Sequence, residues 1–219
     1  MIVRASGWRS PMTTGICALV FAGTAAVWSL LAQTPDLPGA YPRPGTTKVL
    51  ENARVVVWDI SWLKQQYPLH RHRYDLAGVY YSPGDRMIIG QDGSRRPVTT
   101  KAWDTAFQRS GVTHVEEGAS DPPLRALFLE LKEPTPSGRV DTSNSPPGFA
   151  AMAGMPFIEN DRLAGWLLGR AHERHRHQRD AVVLWFEGQQ HDAAFIAQGT
   201  VHDDEEHPKA AHLYVYELK

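Results

Sequence analysis

Short apolar runs bounded by turn-forming residues recur along the chain and predict β-strands almost throughout. These runs lie at 54–60, 77–81, 87–89, 124–131, 163–168, 181–186, 193–196 and 212–218. They are rich in β-branched and aromatic residues, and residues 212–216 alternate with a period of two. No stretch has the periodicity of an amphipathic helix of three or more turns. The pattern predicts an all-β fold, either a barrel or a pair of sandwiches.

Two segments of the chain resemble each other in sequence, which indicates an internal repeat. The matched pairs are 51–54 with 159–162, 70–75 with 175–180, 103–107 with 191–195, 111–114 with 199–202, and 130–132 with 217–219. The pairs keep the same order and differ only by gaps, as expected of a tandem duplication. The second copy lacks a counterpart of residues 85–101, whose Asp92-Gly93 pair is a hairpin-turn signal.

Proline- and glycine-rich stretches divide the chain into predicted segments. We predict a signal peptide or N-terminal membrane anchor at 1–32, a proline-rich linker at 33–50, an N-terminal barrel at 51–132, a second linker at 133–158 and a shortened C-terminal barrel at 159–219. Two arginines followed by an uncharged apolar stretch are typical of an export signal. That stretch is also long enough to span a bilayer, so cleavage and retention both stay open. Either way we expect an exported protein, periplasmic or secreted, with membrane contact only if the segment is retained.

Composition narrows the chemistry of any site. Lys and Arg number 23 against 24 acidic residues, so no nucleic-acid partner is expected. The chain has ten histidines and a single cysteine, Cys17, which lies in the predicted export segment. One cysteine excludes an internal disulfide framework and a thiolate zinc cluster. Imidazole and carboxylate groups would therefore hold any metal ion. A small-molecule ligand or substrate is expected as partner, and a homo-oligomer is left open.

Two His-x-His pairs are the strongest candidates for metal ligands. Side chains at i and i+2 of a strand share a face, so His70 and His72 project together. His114 follows the turn residue Gly111 and would supply a third ligand from a distant strand. The second copy offers the equivalent residues His175, His177 and His202. A triad that recurs at equivalent positions is a stronger indication than one His-x-His pair.

The same residues resemble the two motifs of the cupin superfamily, Gly-x5-His-x-His-x(3–4)-Glu-x6-Gly and Gly-x5-Pro-x-Gly-x2-His-x3-Asn. The matching residues are His70, His72, Gly84, Gly111 and His114 in the first copy and His175, His177, Gly199 and His202 in the second. The resemblance spans 51–132 and 159–219. It implies a bicupin: two tandem double-stranded β-helix (jelly-roll) barrels, each with a metal ion inside its mouth.

The chain departs from these motifs at the glutamate, which would fall on the apolar residues Leu76 or Ala77 in the first copy and Ala181 or Val182 in the second. Further departures stand at Lys64, Trp103, Arg109 and Gly118. Without the glutamate the chain is similar to three-histidine cupins, which include thiol and diketone dioxygenases. The resemblance implies one divalent transition metal per intact barrel: Fe²⁺ for an oxygenase, with Zn²⁺, Mn²⁺, Ni²⁺ or Cu²⁺ as alternatives. Three neutral imidazoles leave the charge of the metal uncompensated, which favours an anionic bidentate substrate.

Several carboxylates lie close to the histidines in sequence. Glu116 stands at i+2 from His114 and shares its face, and Asp204 has the equivalent place in the second copy. Either would act as a general base, a fourth ligand or a group that orients a ligand, or else be a solvated acid at the rim. Asp75 and Asp180 also repeat, but period two places them on the opposite face, so they reach a metal only through a β-bulge.

The other repeated or clustered polar residues are interpreted as structural. The histidines outside the triads are expected at the surface or rim: His172, His191, His207 and His212. His172 is alternatively a supplementary ligand of the second site. Arg54 and Arg162 repeat near the starts of the copies, where a salt bridge that packs strands is favoured over a substrate clamp.

Three functions are compatible with the sequence. The first is a metal-dependent enzyme, such as an oxygenase acting on a small anionic molecule. The second is a non-enzymatic protein that binds a metal or a small ligand, which export favours because reduced iron is hard to keep in an oxidising compartment. The third is a structural module with vestigial sites. No substrate-recognition residues beyond the histidines are identifiable from the sequence.

Overall fold

The computed structural model describes residues 36–132, 148–168, 174–188, 190–203 and 210–219. The predicted export segment lies outside these ranges, as do His172, Asp204, His207 and residues 133–147 of the predicted second linker. No helix within the described ranges is long and apolar enough to cross a membrane.

The first repeat folds into nine strands. They are β1 (Thr46–Glu51), β2 (Val55–Ser61), β3 (His70–Arg71), β4 (Asp75–Ser82), β5 (Gly84–Ile89), β6 (Arg95–Thr100), β7 (Thr105–Gln108), β8 (Thr113–Gly118) and β9 (Arg125–Leu131). They form a five-stranded sheet in the order β1-β2-β9-β4-β7 and a four-stranded sheet in the order β3-β8-β5-β6. The strand pairings are antiparallel and join strands that are distant in sequence, as in a jelly roll.

The second repeat begins with a five-residue helix, α1 (Phe149–Ala153), and continues with seven strands. They are β10 (Ile158–Glu159), β11 (Leu163–Leu168), β12 (His175–Arg176), β13 (Ala181–Glu187), β14 (Gln190–Ile196), β15 (Val201–His202) and β16 (His212–Leu218). They form a five-stranded sheet in the order β10-β11-β16-β13-β14 and a two-stranded sheet of β12 and β15. The prediction of an all-β fold with two cupin-type barrels, the second shortened, is confirmed.

The two repeats correspond strand for strand, except at the predicted missing hairpin. β5 and β6 of the first repeat have no counterpart among the described residues of the second. The entry to the second strand is also the same in both repeats. The Oδ1 of Asn52 accepts hydrogen bonds from the backbone N–H groups of Arg54 and Val55. The Oδ1 of Asn160 accepts the equivalent bonds from Arg162 and Leu163.

The apolar side chains are divided between cores by the period of two along each strand. Val55 and Val57 of β2 face one core, and Val56, Trp58 and Ile60 face another. Alternate residues of β2, β4 and β9 join alternate residues of β13 and β16, together with Leu163 of β11, in a single cluster. The five-stranded sheets of the two repeats therefore share a core, and each repeat also has an inner core of its own. Burial on both faces explains the nearly continuous apolar runs in these strands.

Both predicted linkers contribute to the fold. The stretch predicted as a linker at 33–50 supplies all but the last residue of β1, which pairs with β2 because its backbone N–H and C=O groups continue the sheet. Gly39 bridges to Arg71 beside the first histidine pair. In the stretch 133–158, the end that is described forms α1 and β10, and Phe149 is fully buried.

Candidate metal centres

The N-terminal triad is assembled by a strand pair and a glycine turn. His70 of β3 lies directly opposite His114 of β8, and His72 follows β3. The backbone N–H of Gly111 donates to the carbonyl of His72 at 2.7 Å, and the N–H of His72 donates to the carbonyl of Val112 at 2.9 Å. Gly111 has φ of +86°, a conformation that glycine adopts without strain. The turn thus ties the third histidine to the first two.

The three rings form a compact triangle. Their centroids are separated by 5.3 Å (His70 to His72), 4.9 Å (His70 to His114) and 5.1 Å (His72 to His114). One ring nitrogen of each lies within 4.8 Å of those of the others. The Nε2 atoms of His72 and His114 are 3.2 Å apart. Two nitrogens bound at about 2.1 Å to one metal ion lie about 2.9 to 3.4 Å apart, so this spacing fits a shared metal.

The protonation of the triad suits metal binding. The Nδ1–H of His70 donates to the carbonyl of Pro68 at 2.9 Å, which leaves Nε2 deprotonated, and this Nε2 is buried with no hydrogen-bond partner among the described residues. Burial lowers the pKa of His70. Burial, with repulsion from His114, lowers the pKa of His72 to about 3. Burial lowers the pKa of His114 to about 4, against the attraction of Glu116. Neutral imidazoles are the form that binds a metal.

Glu116 lies beside the triad, and two arginines fix it there. Its Oε1 is 4.0 Å from Nε2 of His114 and 3.7 Å from the Arg86 guanidinium. Its Oε2 accepts hydrogen bonds from Arg43 at 2.6 Å and from the Trp62 indole at 3.0 Å. Burial by itself raises the pKa of Glu116, but Arg43 and Arg86 bring it down to about 2. A carboxyl group with so low a pKa is a weak base at neutral pH, so the geometry favours a positioning role over general-base catalysis.

The two arginines are themselves enclosed by aromatic rings. The guanidinium of Arg43 lies 4.0 Å from the centroid of Tyr67, and that of Arg86 lies 5.0 Å from Trp62. Arg86 also donates to the hydroxyl of Tyr80 at 2.7 Å. The Arg43 side chain is 6% exposed, and its Nε and NH2 atoms are buried with no hydrogen-bond partner among the described residues. Two guanidinium groups against one carboxylate leave a net positive charge next to the triad.

The C-terminal triad has the same construction with the glycine turn preserved. His175 of β12 lies directly opposite His202 of β15, and the N–H of Gly199 donates to the carbonyl of His177 at 3.0 Å. The ring centroids are 4.3 to 5.1 Å apart, and one nitrogen of each ring lies within 4.8 Å of the others. His175 and His177 are fully buried, with the ring of Phe149 4.5 Å from that of His177. Two three-histidine groups among the described residues could therefore hold a metal ion.

In the second site a carboxylate orients one of the histidines. The Nδ1–H of His177 donates to Oε1 of Glu217 at 3.0 Å, and the Nε2 of His177 is buried with no hydrogen-bond partner among the described residues. The matching residue of the first repeat, Glu130, instead accepts the Trp58 indole N–H at 2.9 Å. In the second repeat the tryptophan that matches Trp58 is Trp166. Its indole N–H donates to a backbone carbonyl at 3.0 Å instead of to the glutamate. Exchange of the tryptophan partner thus releases Glu217 for the histidine.

Asp75 and Asp180 do not reach the triads. The Oδ1 of Asp75 accepts the backbone N–H of Ser110 at 2.7 Å, and that of Asp180 accepts the N–H of Gln198 at 2.8 Å. Each aspartate thereby fixes the loop that leads to the third histidine of its own repeat. These contacts are consistent with their expected position on the face opposite the histidines.

Of the other histidines, the two that are described lie away from the triads. His191 is 3.1 Å from Asp59 through Nε2, in a hydrogen-bonded group that includes Tyr81. His212 stacks on Trp103, with the ring centroids 3.7 Å apart. Neither belongs to a three-histidine group, and the His191 side chain is 14% exposed, so it is more buried than the expected surface or rim position.

Sequence reasoning missed four residues of these sites: Arg43, Arg86, Phe149 and Glu217. Arg43 and Phe149 lie in stretches predicted as linkers, where proline and glycine content hid their contribution. Arg86 belongs to the hairpin that only the first repeat has. Glu217 was noted as part of the repeat, and its place beside Ala181 of β13 follows only from the strand pairing.

No protein-family model matches the chain, and no curated protein matches it either. Solved structures do resemble it. A cupin domain from Bordetella pertussis Tohama I is 22% identical and covers 44% of this chain and 97% of its own, with a TM-score of 0.38. AerE from Microcystis aeruginosa is 11% identical and covers 84% and 98%, with a TM-score of 0.47. A deletion mutant of Bacillus subtilis oxalate decarboxylase OxdC is 13% identical and covers 84% and 72%, with a TM-score of 0.37.

These likenesses concern the fold alone. The chain has a cupin-type fold with two tandem barrels, as the sequence motifs indicated. Its two three-histidine groups fit a metal-binding cupin.

Proposed function

We propose that the protein is an exported metal-dependent enzyme of the three-histidine cupin type, with its active site in the N-terminal barrel. His70, His72 and His114 would hold one divalent transition metal, with Fe²⁺ favoured. The observation that carries this proposal is the convergence of three neutral, buried imidazoles with their ring nitrogens within 4.8 Å of one another. When bound, such a metal supplies Lewis acidity and, for Fe²⁺, the capacity to activate dioxygen.

The residues around the triad support a small anionic substrate. The two positive charges of Arg43 and Arg86 exceed the single negative charge of Glu116. Arg43 also has two buried donor atoms with no hydrogen-bond partner among the described residues. A carboxylate or enolate would satisfy such donors, because guanidinium forms paired hydrogen bonds with planar anions. The aromatic rings around both arginines exclude water, which strengthens these charge interactions. The chain's own contribution to catalysis would be to bind, orient and desolvate the anion.

A non-enzymatic role as a metal- or ligand-binding protein is the second candidate. One observation favours it: Glu116, whose Oε1 lies 4.0 Å from Nε2 of His114, is held in an ion pair with a pKa of about 2. Glu116 is therefore poorly suited to move protons at neutral pH. A protein that captures a metal or a small anion needs no such group.

The experiment that tests the metal centre is metal analysis of the full-length protein purified without a histidine tag. We expect up to two equivalents of divalent metal after loading, and about one in each of His70→Ala and His175→Ala. His212→Ala, which removes a histidine outside both triads, is the matched control and should retain both equivalents. Less than a tenth of an equivalent in the unmodified protein would contradict the metal centre.

Oxygen uptake distinguishes the enzyme from the binding protein. The Fe²⁺-loaded protein is mixed with catechols, diketones, thiols and hydroxy acids, and His70→Ala is the inactive control. Uptake with one of these classes that disappears in His70→Ala supports the enzyme. Tight metal binding with no uptake across the panel favours the binding protein.

A further inference from the structure

Among the described residues, the carboxylates beside the two three-histidine sites have different partners. In the C-terminal site the Glu217 carboxylate backs His177, so that a negative charge lies one imidazole away from the nitrogen that faces the site. In the N-terminal site the corresponding nitrogen, Nδ1 of His72, is buried with no hydrogen-bond partner among the described residues. The carboxylate that could have balanced a metal there, Glu116, is already paired with two arginines.

These differences affect the binding of a cation directly. A carboxylate that accepts from a ligating histidine raises the basicity of the imidazole and strengthens metal binding. A net positive cluster does the reverse, because a divalent cation entering a buried site is repelled by guanidinium groups in a medium of low dielectric constant. Arg86 and His114 both lie within 4.0 Å of the same Glu116 oxygen, so the arginine charge acts at short range.

An anion that binds at the arginines would remove this penalty. It would cancel the excess positive charge and satisfy the buried Nε and NH2 of Arg43. By linkage, an anion that strengthens metal binding must itself be bound more tightly in the presence of the metal, by the same factor. The C-terminal site, which has its own carboxylate, has no need of such a partner.

We propose that metal and a small carboxylate bind cooperatively at the N-terminal site, through Arg43 and Arg86, whereas the C-terminal site takes its metal without an anion. This inference rests on the proposed function, since it assumes that the N-terminal histidines hold a metal. It assigns the two repeats different tasks: the C-terminal metal is bound constitutively, and the N-terminal centre is completed when its anionic substrate arrives.

Titration of the full-length protein with Co²⁺, in acetate and in chloride at equal ionic strength, tests the inference. The His175→Ala/His177→Ala variant isolates the N-terminal site, and His70→Ala/His72→Ala isolates the C-terminal site. We expect acetate to tighten Co²⁺ binding at the N-terminal site by about tenfold or more, within the usual range of coupling, and to leave the C-terminal site unchanged. In the unmodified protein the same effect appears in only one of two binding steps, so the test does not depend on the variants folding.

Substitution of the arginines shows whether they cause the coupling. Arg43→Met should tighten Co²⁺ binding in chloride and abolish most of the acetate effect, and Arg86→Met should act in the same direction. Arg43→Lys keeps the charge and should keep the coupling.

Three results would overturn the inference while leaving the metal centre intact: no acetate effect at either site, an equal effect at both, or full coupling in both methionine variants. Failure of the N-terminal site to bind Co²⁺ with or without acetate would overturn the inference and the proposed function together.

Discussion

Arg54 of the first repeat lies 3.5 Å from Asp180 of the second, in an ion pair between the two repeats. The equivalent contact runs in the opposite direction, from Arg162 of the second repeat to Asp75 of the first at 3.6 Å. The two repeats thus exchange the same ion pair, as two subunits do across a two-fold axis. Because each aspartate also fixes the loop to a third histidine, these pairs connect the packing of the repeats to the geometry of both sites.

Removal of these aspartates should destabilise the protein to different degrees. Asp75 is 5% exposed in its side chain and Asp180 is 20% exposed. Asp75→Ala leaves the backbone N–H of Ser110 without its acceptor and removes the ion pairs of Asp75 with Arg109 and Arg162. We expect a loss of about 2 to 3 kcal/mol in the free energy of unfolding. Asp180→Ala should cost about 1 to 2 kcal/mol, since water replaces part of its contacts.

Urea unfolding followed by tryptophan fluorescence measures both effects. Asp36→Ala is the matched control, because the Asp36 side chain is 97% exposed and meets Arg73 only at 3.8 Å. This variant should lose less than about 0.5 kcal/mol. Equal losses for Asp75→Ala and Asp36→Ala would contradict a structural role for the exchanged ion pair.

The metal-free protein should lose stability as the pH falls below 7. The pKa of His72 is lowered from 6.5 to about 3 and that of His114 to about 4. In the unfolded chain both histidines take up protons near their ordinary pKa of 6.5. Between pH 6.5 and 4 the unfolded state therefore binds more protons than the folded state, so stability is present at neutral pH and is lost as the pH falls.

From these shifts we expect a loss of about 2 to 4 kcal/mol between pH 7 and pH 5. The measurement is urea unfolding of the metal-free protein at several pH values within that window. The double variant His72→Gln/His114→Gln lacks both titrating groups and should show a much flatter profile. A stability that stays constant from pH 7 to pH 5 in the unmodified protein would show that these imidazoles are solvated.

Much of the fold could be predicted because strands leave local signals. The apolar runs at 54–60, 124–131 and 212–218 coincide with strands, and the repeated residues fell on equivalent elements of the two barrels. The stretch 33–50 could not be predicted in this way. Its strand β1 has a mixed polar sequence and gains its stability from pairing with β2, a non-local contact that the pattern of its own residues does not show.

The part of the site that depends on the alternation of side chains along a β-strand was predictable. His70 and His72 could be grouped because residues at i and i+2 of a strand share a face. The cupin-like spacing then identified His114 as the third histidine. Arg43 could not be placed, because its position depends on how a segment preceding the first strand packs. The state of Glu116 could not be predicted either, since its pKa is set by arginines from two other parts of the chain.

The glycine turn before the third histidine should matter for metal binding as well as for stability. Gly111 has φ of +86°, and an alanine there would be strained although no atom blocks its Cβ. We expect Gly111→Ala to lose about 1 to 2 kcal/mol of stability and to weaken metal binding at the N-terminal site about tenfold as the loop relaxes.

Gly93, at the tip of the β5–β6 hairpin, provides the control for this strain. It has φ of +79° and equally open space around its Cβ. Gly93→Ala should lose a similar amount of stability and leave metal affinity unchanged, as measured by Co²⁺ titration. If both variants weaken metal binding equally, the turn at Gly111 has no specific part in holding His114.

Glu217 and Glu130 occupy equivalent places in the two repeats but bond to different partners, and their substitution should separate the two sites. Glu217→Gln removes the charge that orients and polarises His177, and we expect metal binding at the C-terminal site to weaken about tenfold or more. Glu130→Gln replaces the acceptor of the Trp58 indole and leaves the N-terminal triad untouched. It should therefore reduce stability slightly and leave both metal affinities within about twofold. Titration of each variant with Co²⁺ gives both affinities. If Glu130→Gln weakens metal binding at the C-terminal site as much as Glu217→Gln does, the effect is general to the fold and does not come from the bond to His177.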